Sequence, residues 1–442
     1  MRLRPPPCKS TFQRALLLGM LAGGRLRIVF EAEDPLRYLR EAGDLGVLVA
    51  ALETLGARVD LGISLREDTP GEEGWILVES EGWTSRAADF SLGENGTALR
   101  MLSAIAACAG GRYSFRGTRG LERRSLGPLV AQLERLGVGF AFTENRGRVP
   151  FHMESPGAAE MIERGPLISL EIRQGTQSAS GLLIGMAGFE ESARIAVHPV
   201  EDHAVPGYLA MTLDMLGRFG VGVTKEFLGR GELLLRLGDD PLVNPGELHI
   251  EADPSSATWM LVLAAGLERE ILIQGLDPSS AHPDLRLLHD LEDLGCRYEW
   301  TEEGLRFEGH RGAGDVEILD LEDRPDSFPP LVGLLAARPG RHHLGEAPKL
   351  RGKESDRIAV LARGLASLGF DVKESRGGLA IQGRDRLDGD QRGILDPSGD
   401  HRMYMAFSVL GLLLGAGLEI ADPACVRKSW PGFPALLDRF RP

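Results

Sequence analysis

Positively charged side chains stand at the starts of several segments that have the pattern of buried helices. Lys9 and Arg14 open the first such segment, and Arg402 opens the last. A helix N-terminus already carries free N–H groups and a partial positive charge, so a cation there opposes the helix dipole. Because this reversal recurs along an acidic chain, we predict a site for a small molecule with several negative charges. The other cations of the set are Arg100, Arg124, Lys353, Arg357 and Lys428.

Two carboxylates lie near these cations in the sequence and could move protons. Asp326 precedes a proline-containing apolar segment, where capping a helix start is the ordinary role of an aspartate. Glu354 stands three residues before Arg357, which is the spacing of a surface salt bridge on a helix. The residue types alone therefore leave these structural roles open beside acid–base catalysis.

The composition describes a globular protein without general affinity for polyanions. Of its 442 residues, 43% are apolar and 26% are charged; the net charge is −14 and the pI is about 5.3. Proteins that bind nucleic acid or anionic membranes usually carry a positive excess instead. The four cysteines are scattered, without the spacing of a zinc site or a disulfide framework. We therefore predict a cytoplasmic protein with reduced thiols and no metal site.

A repeated unit organises the chain. Amphipathic segments each end in an apolar residue followed by a glycine, and the sequence after each glycine has the pattern of a β-strand. These glycines, roughly 75–85 residues apart, are Gly56, Gly137, Gly220, Gly295 and Gly369. Interleaved segments start with polar or small residues and are then apolar all round, as buried helices are. We predict six αβ units, three on each side of the linker Gly238–Gly246. The predicted class is α/β or α+β with mixed sheets.

Nine sequence blocks, in one order, resemble those of the enolpyruvyl transferase family, and specifically of 5-enolpyruvylshikimate-3-phosphate (EPSP) synthases. A single such motif would be weak evidence, but the set spans nearly the whole chain. The blocks are Lys9–Leu18, Gly93–Arg100, Arg124–Gly127, Gln177–Leu183, Glu251–Ala257, Asp323–Asp326, Lys353–Ile358, Asp400–Met403 and Lys428–Phe433.

The resemblance implies a fold and an activity. Two domains of three βαβαββ repeats each, with pseudo-threefold symmetry, would enclose an active site in the cleft between them. Residues 9–246 would form the first domain, and residues 1–8 plus 247–442 the second. The implied reaction moves the carboxyvinyl group of phosphoenolpyruvate to the 5-hydroxyl of shikimate 3-phosphate by addition–elimination, with release of phosphate, in aromatic amino-acid biosynthesis. No cofactor, metal, nucleic acid or membrane is implied, and a monomer is expected.

The resemblance also implies roles for individual residues. Asp326 would be the base for the attacking hydroxyl, Glu354 would exchange a proton with the methylene carbon, and Lys353 would assist proton transfer. The phosphoenolpyruvate contacts would be Lys9, Gly96, Arg124, Arg357, Arg402 and Lys428. The shikimate 3-phosphate contacts would be Lys9, Ser10, Arg14, Thr176, Gln177, Tyr208, Asp326 and Lys353.

Departures from the family pattern fall mainly on the side of the hydroxyl acceptor. Glu94 replaces an asparagine, Val205 a serine and Ala210 an acid, while Cys8 stands where a serine usually precedes Lys9. Two alternatives therefore stay open. The chain could be an enolpyruvyl transferase that acts on a different hydroxyl, or a non-catalytic anion-binding relative.

Overall fold

The structure is a computed structural model and describes residues 1–65, 72–201, 203–387 and 394–441. Within these ranges the α-helices are α1 (Lys9–Ala22), α2 (Pro35–Glu41), α3 (Gly43–Thr54), α4 (Gly96–Ala109), α5 (Arg119–Glu122), α6 (Gly127–Arg135), α7 (Ala158–Arg164), α8 (Gln177–Gly188), α9 (Gly207–Arg218), α10 (Pro254–Gly266), α11 (Leu287–Asp293), α12 (Phe328–Ala336), α13 (Arg357–Ser367), α14 (His401–Leu413) and α15 (Phe433–Phe440). Short 3-10 turns lie at Pro283–Arg286, Pro325–Ser327, Pro348–Gly352 and Pro423–Lys428.

The strands are short and alternate with the helices. They are β1 (Arg2–Leu3), β2 (Gly24–Glu31), β3 (Arg58–Leu65), β4 (Glu72–Ser80), β5 (Ala87–Ser91), β6 (Gly111–Arg116), β7 (Gly139–Phe142), β8 (Phe151–Ser155), β9 (Leu167–Glu171), β10 (Arg194–His198), β11 (Val223–Gly229), β12 (Glu232–Leu237), β13 (Glu247–Ile250), β14 (Glu270–Ile273), β15 (Arg297–Thr301), β16 (Gly304–Glu308), β17 (Val316–Ile318), β18 (Gly340–Leu344), β19 (Val372–Glu374), β20 (Leu379–Gly383), β21 (Ile394–Leu395) and β22 (Glu419–Ile420).

The sheets are mixed, as the sequence predicted. Each four-stranded sheet has one parallel pair followed by two antiparallel pairs, a pattern that needs both helical crossovers and hairpins. The strand orders are β13-β2-β4-β3, β5-β6-β8-β7, β9-β10-β12-β11, β1-β14-β16-β15 and β17-β18-β20-β19. The described part of the last sheet is the parallel pair of β21 and β22.

Two kinds of helix cover these sheets. The buried kind is illustrated by α10, all of whose residues are buried, and by α4, which packs on α8. Gly181 of α8 lets the two backbones approach, since a Cβ there would lie 2.7 Å from Met101 Cα. The surface helices end at the predicted glycines, and all five adopt a positive φ between 75° and 95°. A left-handed residue at this point is what ends a helix and turns the chain into the next strand.

Two hydrophobic cores divide the chain, and β-strands cross between the halves. The first core contains residues from Cys8 to Ile250, and the second contains Leu3 and residues from Ala252 to Phe440. Strand β1 pairs in parallel with β14 of the second half, whereas β13 pairs with β2 of the first. Residues 247–250, which the predicted division assigns to the second domain, pair with β2 and pack with the first core, while the division itself stays a prediction. No described helix combines the length and the hydropathy needed to cross a membrane.

Candidate active site

The starts of buried helices from both halves converge on one cavity of about 120 Å³. The first half contributes the N-terminal ends of α1, α4 and α8, and the second contributes the 3-10 turn at Pro325–Ser327, the segment before α13 and the start of α14. Every residue predicted for catalysis or substrate binding lines this cavity except Lys428. The amine of Lys428 lies 2.8 Å from a carboxylate oxygen of Glu354, at the edge of the same cluster.

Asp326 does not cap a helix, although the sequence left that role open beside acid–base catalysis. It lies within the 3-10 turn, and no side-chain capping bond forms at that start. Its carboxylate instead accepts from Arg357 Nη1 at 2.8 Å and pairs with Arg402 Nη2 at 3.0 Å. Burial on its own would raise the pKa of Asp326, but the surrounding cations, Arg402 foremost, hold it well below the usual range. Asp326 is therefore ionised in this structure.

Glu354 pairs with cations from both halves of the chain. Its carboxylate lies 2.6 Å from Arg124 Nη2, 2.9 Å from Arg357 Nη2 and 2.8 Å from Lys428 Nζ. The side chains of Glu354 and Arg357 are only 12% and 2% exposed, so their pair is not the surface salt bridge that the spacing allowed. Burial opposes ionisation of Glu354, yet these cations lower its pKa well below the ordinary value.

Lys353 carries an amine whose pKa lies close to neutral pH. Burial lowers the pKa of this amine to about 8, and the negative charge of Asp326 offsets only part of the effect. A buried lysine loses its proton readily because the charged form is poorly solvated. Lys353 is thus a group that can exchange a proton near neutral pH.

Arg357 holds the second-half residues in place. Besides Asp326 and Glu354, it donates from Nε to Asp400 Oδ2 at 2.8 Å. Asp400 in turn caps α14 by accepting the Arg402 N–H at 3.0 Å. One buried guanidinium therefore fixes three carboxylates and, through Asp400, the helix start that carries Arg402.

Arg14 is tied to the protein itself. Its guanidinium donates to Thr212 Oγ1 at 2.8 Å and to the carbonyls of Ser10 and Tyr208 at 2.7 Å each. These bonds join the start of α1 to the start of α9. Arg14 lines the cavity, but its bonds also position Tyr208, whose hydroxyl lies 3.4 Å from Asp284 Oδ2 in the second half.

Gly96 makes room for an arginine. A Cβ at this position would lie 2.1 Å from Arg124 Nη1 and 3.1 Å from Arg100 Nη1. Next to it, the Asn95 side chain caps α4 by accepting the Ala98 N–H at 2.9 Å. The sequence placed Gly96 at the site, whereas the clash that explains it depends on the three-dimensional position of Arg124.

Buried polar groups without partners face the same cavity. Neither ring nitrogen of His401 forms a hydrogen bond within the described part of the chain, and the same holds for Arg124 Nε, whereas Arg124 Nη2 pairs with Glu354. Burial lowers the pKa of His401 well below its usual value, so the ring is neutral. Unpaired buried donors are costly unless a ligand satisfies them. The free Nε–H of Arg124 therefore suits an anionic ligand.

Some residues of the site were absent from the predicted set. Asp44, in the first turn of α3, accepts from Lys9 Nζ at 3.0 Å, and its carbonyl accepts from Asn95 Nδ2 at 3.0 Å. Burial lowers the pKa of Lys9, but the negative charges of Asp44 and Glu354 together outweigh it, and the net pKa is raised. An aspartate in a first helical turn is common, so the sequence carries no signal for this role. Asp323 closes the cleft by accepting the Gly207 N–H at 3.0 Å.

Comparison with known proteins identifies the family. The family described as EPSP synthase (3-phosphoshikimate 1-carboxyvinyltransferase) matches residues 2–437. The chain belongs to the EPSP synthase family. A 3-phosphoshikimate 1-carboxyvinyltransferase of Syntrophobacter fumaroxidans is 33% identical, covering 98% of this chain and 95% of the relative. One of Methanoculleus marisnigri is 31% identical, covering 97% and 94%.

Solved structures agree on the fold. An EPSP synthase from Acinetobacter baumannii superposes with a TM-score of 0.72 at 22% identity, covering 100% of this chain and 95% of that one. The predicted resemblance to EPSP synthases and the mixed two-domain fold are thereby confirmed, and the protein is a transferase of this family. Of the departures noted in the sequence, Glu94 lines the cavity, whereas Val205 and Ala210 are not among its lining residues.

Proposed function

We propose that the protein transfers the carboxyvinyl group of phosphoenolpyruvate to the 5-hydroxyl of shikimate 3-phosphate and releases phosphate. The observation that carries the proposal is that nearly all predicted site residues, drawn from both halves of an EPSP synthase family chain, surround one cavity. Both substrates carry a phosphate and a carboxylate, and the cavity offers fixed cations and free helix N-termini to bind them.

The hydroxyl of the acceptor must lose its proton as its oxygen adds to C2 of phosphoenolpyruvate. We assign proton acceptance to Lys353, because its pKa of about 8 leaves part of the amine neutral near physiological pH. Asp326 is ionised but a weak base while Arg357 and Arg402 pair with it. Asp326 would therefore accept a hydrogen bond from the hydroxyl and orient it, a narrower role than the sequence suggested.

The methylene carbon gains a proton in the addition and loses one in the elimination, and Glu354 is the candidate for both steps. With its present partners Glu354 is a poor acid, because the cations around it keep its pKa very low. The phosphate and carboxylate of phosphoenolpyruvate would compete for Arg124, Arg357 and Lys428. Losing these partners raises the pKa of a buried carboxyl, so substrate binding would prepare the acid.

Phosphate release from phosphoenolpyruvate, measured with and without shikimate 3-phosphate, tests the proposal. Release that depends on shikimate 3-phosphate, with one carboxyvinyl product formed per phosphate, is the expected result. Release only with another hydroxyl compound would favour the transferase of different specificity, for which Glu94 in the cavity is the supporting observation. Binding of both substrates without turnover would favour the non-catalytic relative.

We extend the proposal to a monomer that acts in the cytoplasm. The cavity is lined by residues of a single chain, so a second copy is not needed to complete it. Light scattering coupled to gel filtration tests the oligomeric state, and a stable dimer would contradict it.

A further inference from the structure

Three buried side chains from separate segments meet where the chain passes between its two halves. Cys8 immediately precedes α1, Asp253 precedes α10, and His282 precedes the 3-10 turn at Pro283–Arg286. The Cys8 sulfur, an Asp253 carboxylate oxygen and a His282 ring nitrogen lie within 4.8 Å of one another. All three residues are at least nine-tenths buried, and they are separate from the active-site cavity.

The histidine of this cluster has an unsatisfied ring nitrogen. His282 Nε2 forms no hydrogen bond with any described residue, although its side chain is fully buried. The nearest carboxylate oxygen, Asp253 Oδ1, lies 4.0 Å from Nε2, which is too far for a hydrogen bond. A buried polar atom left unpaired is costly, and a ligand held between these side chains would remove the cost.

We propose that Cys8, Asp253 and His282 bind one divalent metal ion of the zinc type. Thiolate, imidazole and carboxylate are the ligands that Zn²⁺ uses in proteins, and three of them leave a fourth position for water. Bonds of about 2.0–2.3 Å place the ligand atoms of a tetrahedral site roughly 3.5 Å apart. Since the ligand atoms lie within 4.8 Å of one another, they must draw together by up to about 1.3 Å on binding, through rotation of the side chains.

Binding requires a defined rearrangement of protons. His282 Nδ1 accepts the Asp284 N–H at 3.2 Å, a bond that places the ring proton on Nε2. When the metal binds, Cys8 releases its thiol proton to solvent, and the ring proton moves from Nε2 to Nδ1. Nδ1 then gives up the Asp284 N–H and faces the Asp284 carboxylate, 3.9 Å away, as its new acceptor. A carboxylate in this position commonly orients a metal-bound histidine.

A second cavity lies beside the cluster, and its lining has more carboxylates than arginines, the latter being Arg4 and Arg218. It has a volume of about 440 Å³ and is lined by Thr11, Ala252 and the carboxylates of Glu251 and Asp277, among others. The Thr11 hydroxyl lies 3.2 Å from the Cys8 sulfur, and Ala252 adjoins Asp253. The carboxylates of this cavity therefore favour cations in the neighbourhood of the cluster.

Titration of the full-length protein with Co²⁺ tests the proposal, because Co²⁺ replaces Zn²⁺ and its bond to a thiolate gives charge-transfer absorption. We expect one equivalent of Co²⁺ to produce this band in the wild type. Cys8→Ser replaces only the sulfur atom by oxygen. This variant should lose the band and bind Co²⁺ at least about ten-fold more weakly. His282→Gln should weaken binding to a similar extent. The matched control, Cys425→Ser, removes a thiol outside the cluster and should leave the band unchanged.

Thermal unfolding supplies a readout that needs no thiolate band. Zn²⁺ should raise the melting temperature of the wild type and of Cys425→Ser, because a ligand that binds only the folded state stabilises it. It should not do so for Cys8→Ser or His282→Gln. The proposal is overturned if the wild type shows no thiolate band in excess Co²⁺, or if the band persists in Cys8→Ser. None of these measurements depends on enzymatic turnover, so the outcome is separate from that of the proposed function.

Discussion

At the scale of single residues, the proton-carrying groups of the cavity are distinguished by their partners rather than by their types. Lys353 and Asp326 face the same space, yet burial lowers the pKa of the lysine to about 8 while neighbouring cations depress that of the aspartate. Replacing either by alanine should lower turnover by about two to four decades, the range for a positioned acid or base. Phosphate release measures this, with the exposed Lys373→Ala as a control for loss of a lysine. Near-normal turnover would remove the residue from the mechanism.

The pKa of Lys353 also predicts how activity varies with pH. Below about pH 8 the amine is charged and cannot accept a proton, and above it the neutral form dominates. Turnover limited by this step should therefore rise as the pH increases through about 8. Lys353→Arg keeps the charge but does not titrate in this range, so its residual activity should lack the rise. An unchanged pH profile in that variant would show that another group is responsible.

Glu354→Gln separates substrate binding from proton transfer. The amide keeps the shape but no longer neutralises Arg124, Arg357 and Lys428, so these cations become freer to bind an anion. We expect phosphoenolpyruvate to bind at least as tightly as to the wild type, whereas turnover falls by two decades or more. Calorimetry and phosphate release measure the two quantities. Weaker binding with normal turnover would contradict the role of Glu354 as an acid.

At the scale of helices and strands, local signals were readable from the sequence and distant pairings were not. The glycines that end the surface helices, such as Gly56 and Gly295, act through their own backbone and were correctly placed. The edge position of β13 beside β2 depends on hydrogen bonds between segments far apart in the chain, so the sequence did not predict this pairing. The same applies to Asp44 at the site: its role follows from where α3 packs, not from its neighbours in sequence.

Gly96 at the start of α4 allows a test of helix geometry. Gly96→Ala should weaken phosphoenolpyruvate binding by about ten-fold or more, because the new methyl group would displace Arg124 from its place over the helix start. The protein should still fold, since alanine favours helix. Gly217→Ala in α9 is the control: a Cβ there meets nothing within 4 Å, and binding should be unchanged. Equal affinities for Gly96→Ala and the wild type would refute the steric explanation.

At the scale of the whole molecule, a few polar contacts bridge the two halves across the cleft. Arg124 and Glu354 pair across it at 2.6 Å, and the Gly207 N–H donates to Asp323. Because bound anions would add further bridges between facing cations, shikimate 3-phosphate should lower the radius of gyration in small-angle scattering. Asp323→Ala loses one closing contact and should require more ligand for the same compaction. No change on saturation with ligand would argue against a hinged cleft.

The exchange of edge strands has a consequence for the order in which the molecule can be completed. During synthesis β2 emerges early, but its parallel neighbour β13 is added only after some 200 further residues, and β1 waits still longer for β14. Closing such long loops is slow compared with forming local hairpins. The sheets β5–β8 and β9–β12 can form from contiguous chain as soon as they leave the ribosome. The nascent first half therefore carries an unpaired edge on β2. The sheet that contains β2 is completed only when β13 is added, as the chain begins to build the second half.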